Sequence, residues 1–379
     1  MSEAVTQGRA ASPAAASTIL ELLPEPVLLV RAEEDEGPEI AYANAAAREL
    51  YRIDLVGAPL GAALRRPEVL EAIDEALATG EPKVVAFESI GVQPRFWRAF
   101  AQPLERSAAG VKELVILLRD ETDARRTERM RADFLANASH ELRTPLASLA
   151  GFVETLRTHA RDDVEARDKF LGIMAQQASR MARLIDDLLS LSRIELNEHI
   201  APQGVVDLVQ AVRDVADASR PIVGERGVAV DITAPEGPAP VVADRDQIVQ
   251  IIQNLLDNAV KYSPPGGRVR IALQSGVSLE TARGPSRPGA VALSLLSPDV
   301  GESQSYIVLR IADDGRGIAR QHLPRLSERF YRVEGQKSGG TGLGLAIVKH
   351  VVNRHRGGIL VESAEGEGTT FSVYLPEAA

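Results

Sequence analysis

The sequence predicts a multidomain α+β protein: an N-terminal α/β module, an antiparallel helical hairpin and a C-terminal α/β sandwich. Three observations carry this reading. Residues 18–119 set short apolar runs between turn residues in the order strand, strand, helices, three strands. Residues 134–197 are poor in Gly and Pro and space their apolar residues in steps of four and three. From about Val205 strands and amphipathic helices alternate, with glycine clusters at the junctions.

A chain of 379 residues, 45% of them hydrophobic, can bury several cores. Its formal charge of −10 argues against holding nucleic acid by backbone neutralisation, so no direct nucleic-acid partner is expected. The absence of cysteine removes disulfides, thiolate catalysis and cysteine-ligated metal together. The longest apolar runs, Leu114–Leu118 and Ala290–Leu296, fall far short of the ~20 residues that span a bilayer, and the start lacks the order of a signal peptide. The expectation is a soluble, cytoplasmic protein without a transmembrane segment, meeting a membrane only through a partner.

Residues 1–17, rich in Ala, Ser and Pro, read as a disordered tail. Ile19, Leu20, Leu22 and Leu23 form a short helix stopped by Pro24 and Pro26. Strands at Val27–Val30, Glu39–Ala43, Val84–Glu88, Phe96–Ala101 and Glu113–Arg119 frame small helices through Tyr51, Leu64 and Leu70–Leu77. This order, with the stretches Pro24–Val30 and Ile40–Tyr51, resembles a PAS-type sensor module over 18–119; a small α+β domain that spaces or dimerises is the alternative. No histidine precedes Ser139, so an axial histidine for haem is missing, and without cysteine a flavin–cysteine adduct cannot form. Input is left to a non-chromophoric ligand or an upstream signalling protein. Phe87, Phe96, Trp97 and Phe100 supply core, with Trp97 a candidate ligand contact.

Residues 120–133 alternate charges at helical spacing without Gly or Pro and read as a signalling helix running into the next domain. There, Phe134–Leu146 carries His140, Glu141, Thr144 and Pro145. If Phe134, Leu135, Leu142, Leu146 and Leu149 face a core, His140 and Thr144 share the outward face one turn apart. Proline denies the Glu141 carbonyl its helical partner and tends to bend the axis. A carboxylate that takes the Nδ1 proton makes Nε2 of an exposed imidazole a better nucleophile, which gives Glu141 the role of base. After a break at 160–163, Phe170, Met174, Gln177, Met181, Leu184, Leu188 and Leu191 trace a bundle seam. One hairpin cannot enclose it, so a homodimeric four-helix bundle is expected for 134–197.

Residues 205–377 carry four motifs. Gln247–Tyr262 is a helix with Asn254 and Asn258 on one face, carboxamides able to offer oxygen to Mg²⁺ (Asn258) and phosphate, beside Lys261 and Tyr262. Asp313, Gly315 and Gly317 follow a strand, where the glycines admit a planar ligand and the carboxylate accepts from an exocyclic amine such as that of adenine. Gly340, Thr341, Gly342, Leu343 and Gly344 precede an amphipathic helix whose free N–H groups suit phosphate. Together they read as an ATP site of the Bergerat type. Leu326–Gly339 adds Phe330 as a packing anchor, with Arg329 and Arg332 reaching for phosphates. Gln274–Ser305, rich in Pro, Gly and Ser, reads as a mobile surface loop.

The box Ser139–Leu146 resembles the phosphoacceptor segment of sensor histidine kinases, and the four motifs resemble that family's ATP-binding domain. The resemblance implies ATP and Mg²⁺ as cofactors, phosphorylation of His140, transfer to a response regulator, and a phosphatase role for Thr144. Ser190–Pro202 is similar to the phosphate-regulon sensor branch, which implies phosphate-starvation signalling. A hydrolytic Bergerat ATPase and a non-catalytic nucleotide-binding scaffold are the rivals. The first is disfavoured because Asn254 stands where the hydrolytic enzymes resemble one another in having glutamate, and an amide cannot serve as the base.

Overall fold

The computed structural model describes residues 13–33, 37–89, 94–104, 111–158, 160–161, 163–284, 289–298, 305–333 and 340–378. The chain divides into two compact units, Met1–Asp133 and Phe134–Ala379.

The first unit comprises α1 (Pro13–Leu22), β1 (Val27–Ala32), β2 (Glu39–Ala43), α2 (Ala45–Tyr51), α3 (Leu60–Ala63), α4 (Pro67–Thr79), β3 (Lys83–Ser89), β4 (Arg95–Pro103) and β5 (Lys112–Asp120). Its five strands form one antiparallel sheet in the order β2-β1-β5-β4-β3. Helix α1 begins at Pro13, so residues 13–17, expected in the disordered tail, are helical; alanine is the best helix former, and proline suits a first turn. The rest of that expected tail, 1–12, lies outside the described residues. Leu28, Val30, Leu114, Ile116 and Leu118 alternate inward and meet Val69 and Ile73 of α4. Trp97 is buried in this core and packs as a core residue.

Asn44 holds the entrance of the unit together. Fully buried, it accepts from the amides of Val27 and Ala47, both at 2.9 Å, and donates to the carbonyls of Leu20 (3.0 Å) and Glu25 (2.9 Å). A buried amide is tolerated only when its bonds are made, and this one also caps α2.

Helix α5 (Thr122–Arg157) passes the unit boundary and is uninterrupted through Pro145. In the first unit, Thr122 accepts from the Phe96 amide at 2.9 Å, and Arg129 lies 4.6 Å over the Phe96 ring. In the second, it pairs with α6 (Val164–Leu196), whose N-cap Asp163 accepts from the Ala166 amide. Phe152 and Phe170 meet at 5.4 Å between ring centroids. The seam positions on α6 are buried or half-buried, as the four–three spacing requires. On α5, Leu135 (60%) and Leu146 (58%) are exposed rather than core-facing. A two-helix hairpin has one inner face, and these leucines fall outside it.

The second unit continues with β6 (Val205–Asp207), α7 (Leu208–Arg226), β7 (Ala229–Thr233), β8 (Pro240–Val242), α8 (Arg245–Tyr262), β9 (Arg268–Val277), α9 (Leu279–Arg283), β10 (Val291–Leu296), β11 (Tyr306–Asp313), α10 (Gly344–Arg354), β12 (Gly358–Ala364) and β13 (Gly368–Pro376). Six strands order as β10-β12-β13-β11-β9-β7, antiparallel except for the β7–β9 pair. Ile307, Leu309, Ile311, Val361 and Val373 form one core with Ile251, Ile252 and Leu255 of α8 and Val348 and Val351 of α10. Leu184, Leu191 and Ile194 of α6 join that core.

The expected mobile loop at 274–305 is instead largely built structure. β9 runs to Val277, α9 sets Leu279 and Ala282 against Tyr306, Val308 and Tyr374, and β10 adds an edge strand to β12. Its Pro- and Gly-rich composition masked Val291–Leu296, whose partner lies some 70 residues on in sequence. Residues 285–288 and 299–304 of that stretch lie outside the described residues.

Candidate functional site

The structure presents His140 and Thr144 exposed on α5, and the Thr144 hydroxyl donates to the His140 carbonyl at 3.2 Å. Among the described residues the His140 ring has no hydrogen-bond partner. Glu141 does not turn to it: its Oε2 accepts from Arg180 Nη2 of α6 at 3.0 Å.

The nucleotide motifs converge around α8. Asp244 caps this helix through the amides of Asp246 and Gln247, and its inner face buries Ile248, Ile251, Leu255, Ala259 and Val260. That orientation leaves Asn254, Asn258, Lys261 and Tyr262 half-buried on another face. The glycine-rich segment lies against them. A Cβ on Gly344 would come within 2.7 Å of Asn254 Oδ1, and one on Gly340 within 2.8 Å of Lys261 Nζ. Gly342 has φ +72° and packs on the Phe330 backbone, whose amide donates to the Gly342 carbonyl at 2.9 Å. Lys261 Nζ donates to Tyr262 Oη at 3.1 Å. Helix α10 then begins at Gly344, its first amides at the head of the cradle.

Asp313 closes β11 with its side chain 5% exposed. Oδ1 accepts from the amides of Gly315 (2.8 Å) and Thr369 (3.2 Å). A Cβ on Gly315 would lie 2.5 Å from that oxygen and 2.8 Å from the Tyr262 carbonyl, which ties the two motifs together. Gly317, φ +70°, sits on the Ala364 carbonyl, and Gly368 backs the Asp313 carbonyl. Ser363 accepts from the Ile318 amide at 2.8 Å and bonds Thr369. Ser363 and Thr369, which brace Asp313 around the turn at Gly366 and Gly368, are not among the sequence-predicted site residues. Their signal, two hydroxyl residues flanking a glycine turn, has meaning only once β12 and β13 pair.

Arg329, Arg332 and Thr341 are placed differently from the rest. Arg329 pairs with Glu195 of α6 and lies 5.3 Å over the Phe134 ring. Arg332 is exposed, and 334–339 lie outside the described residues. The Thr341 hydroxyl donates to Asp187 Oδ2 of α6 at 2.8 Å while accepting from the Leu343 amide. Burial pushes the Asp187 carboxyl above its usual range, against the opposing effect of the Thr341 bond. Further along α6, Ser190 bonds Gln250, and Glu198 accepts from His350 and Asn353.

The structure thus sets an exposed imidazole on a helical hairpin and joins that hairpin to an α/β sandwich with two glycine motifs around an asparagine helix. Residues 130–197 match the His Kinase A (phospho-acceptor) domain, and residues 243–379 match the family described as histidine kinase-, DNA gyrase B- and HSP90-like ATPase. The chain belongs to the sensor histidine kinases.

It is 31% identical over 276 residues to the sensor histidine kinase WalK of Bacillus subtilis, covering 72% of this chain and 41% of that protein. It is 36% identical over 278 residues to the phosphate regulon sensor protein PhoR of Pseudomonas aeruginosa, covering 71% of this chain and 55% of that protein. The chain thus spans about half the length of these curated relatives. The crystal structure of histidine kinase ThkA in complex with response regulator protein TrrA shares the fold, with TM-score 0.50 at 19% identity over 95% of this chain and 98% of that one. Among the described residues no helix is long and apolar enough to cross a membrane.

Proposed function

We propose that this chain is a homodimeric protein-histidine kinase that moves the γ-phosphoryl group of ATP to His140 and then to an aspartate of a response regulator. The observation that carries the reading is the cradle in which the backbone at Gly344 and Gly340 comes close to Asn254 and Lys261, where a Cβ would stand 2.7 Å from Asn254 Oδ1 and 2.8 Å from Lys261 Nζ. That packing keeps a backbone N–H surface at the start of α10 clear for phosphate. Asn258 and Asn254 would hold the magnesium ion, which supplies charge neutralisation at the triphosphate. Asp313, its Oδ1 fixed by two amides, is held in one orientation toward an adenine amine. Lys261 contributes positive charge, and Tyr262 lines the base side.

At the acceptor, Nε2 of His140 attacks the γ-phosphorus as the bond to the bridging oxygen breaks; ADP leaves with that electron pair, and the Nδ1 proton passes to Glu141. The transition state asks mainly for positioning and charge neutralisation. Asn254, an amide, cannot activate water as a carboxylate at that position would, which favours a protein nucleophile over hydrolysis. Thr144 shares the His140 face and is assigned to phosphatase action on the phosphorylated regulator. The five-stranded order of the first unit supports a PAS-like sensor there, with 120–133 as its output helix. The 36% identity to a phosphate regulon sensor supports phosphate-starvation signalling.

Two variants test the halves in one assay, with the regulator chosen by profiling phosphotransfer across the source genome. Asp313→Asn should lower ATP-dependent labelling at least ~10-fold, the loss of about 1.4 kcal/mol of recognition. Thr144→Ala should leave labelling near normal and slow the loss of phosphate from the regulator in the presence of ADP. Undiminished labelling by the first would remove the ATP-site assignment, and unchanged dephosphorylation by the second would leave Thr144 its bond to the His140 carbonyl alone. A phosphate-starvation regulator that stays unlabelled while another takes the phosphoryl group would set that signal aside.

A further inference from the structure

Glu141 follows His140 in sequence, yet successive residues leave a helix about 100° apart, so its side chain can be claimed by the facing helix. It is claimed. Arg180 Nη2 lies 3.0 Å from Glu141 Oε2, and each side chain is 36% exposed. Among the described residues neither side chain has another ionic or hydrogen-bond partner, so the pair is isolated. Arg180 stands one residue before Met181 of the seam, at the rim of the hairpin and level with the phosphoacceptor. The carboxylate beside the nucleophile is therefore held toward α6, and among the described residues the His140 ring has no acceptor for its Nδ1 proton.

We infer that Arg180 is a positioning residue for phosphoryl transfer: its guanidinium tethers Glu141 to α6, and the carboxylate must exchange Arg180 for the Nδ1–H of His140 before the transfer proceeds. This rests on the reading of Glu141 as the base. The exchange moves no atoms between molecules; the transfer that follows forms Nε2–P, breaks the β,γ-bridging P–O bond and delivers the Nδ1 proton to Glu141. A half-exposed ion pair is weak, which suits a tether that opens in every turnover. The ATP cradle contains neither Arg180 nor Glu141, so the tether acts on the rate and leaves nucleotide binding alone.

The test is the initial rate of autophosphorylation of the full chain as a function of ATP concentration. Arg180→Gln should raise the maximal rate about two- to fivefold, the span open to an exposed pair, with KM for ATP unchanged. Arg180→Lys, which keeps the charge, should return it toward wild type. In a Glu141→Gln background, already slow, Arg180→Gln should change nothing, because the group it releases is gone. If Glu141→Gln is slow but Arg180→Gln leaves the rate unchanged or lower, or shifts it equally in both backgrounds, the tether is wrong and the base assignment stands. If Glu141→Gln alone keeps the full rate, the base assignment falls, and the tether falls with it.

Discussion

His355 ends α10 with its side chain 4% exposed, its Nε2 accepting the Asp244 amide at 3.1 Å and its Nδ1–H donating to the Val351 carbonyl at 2.7 Å. A neutral imidazole meets both demands, whereas a protonated one loses its acceptor at the cap of α8. Burial holds its pKa below the ordinary 6.5. The unfolded chain therefore binds the proton first as pH falls, so the stability this arrangement gives is complete above pH 6.5 and drains away through the lowered value. His355→Gln keeps a side-chain acceptor for the Asp244 amide and cannot titrate. It should flatten the fall of Tm below pH 6.5 relative to wild type, measured by thermal unfolding across pH; parallel curves would contradict the assignment. His355 carried no sequence signal, because its partner amide lies 111 residues away. The glycines were legible as positions and only partly as reasons. Gly340 and Gly344 do face Lys261 and Asn254, but Gly317 and Gly368 are required by the protein's own carbonyls at Ala364 and Asp313.

The hairpin helices show which patterns survive translation into structure. The four–three spacing of α6 was readable, since a helix repeats its inner face regardless of what it meets, and all seven seam residues are buried or half-buried. The companion stripe of α5 was misplaced in part: Leu135, Leu146 and Val153 stay exposed on one side, as do Leu171, Ile185 and Leu189 on α6. A second copy would cover such a stripe, each leucine contributing about 1.5–3 kcal/mol on burial. Leu146→Lys with Val153→Lys should turn a dimer into monomers at micromolar concentration, read by light scattering. A wild-type chain that is already monomeric at tens of micromolar would remove the four-helix bundle. Edge strand β10 illustrates the opposite limit. Its alternation lies in the sequence, but a strand needs a partner, and β12 arrives only after β11 and α10 have been laid down.

At the scale of the molecule, strand and helix order in both units was largely legible, because periodicity and turn chemistry are local. What sequence could not supply is how α6 engages the ATP-binding sandwich. Asp187 takes the Thr341 hydroxyl and Glu195 takes Arg329, so two groups expected at the phosphates are occupied by carboxylates of the phosphotransfer hairpin, 154 and 134 residues distant. On the proposed reading, nucleotide and α6 would compete for these two side chains, and phosphorylation of His140 would call for the sandwich to exchange one for the other. The proposed function centres on a phosphoryl group passing from that cradle to one imidazole. The decisive measurement is the incorporation of γ-labelled phosphate into wild-type chain and His140→Gln, with ATP binding measured on the same samples. His140→Gln should bind ATP as wild type does and carry no acid-labile, alkali-stable label. Label of that kind accumulating on the variant would place the acceptor elsewhere and contradict the account.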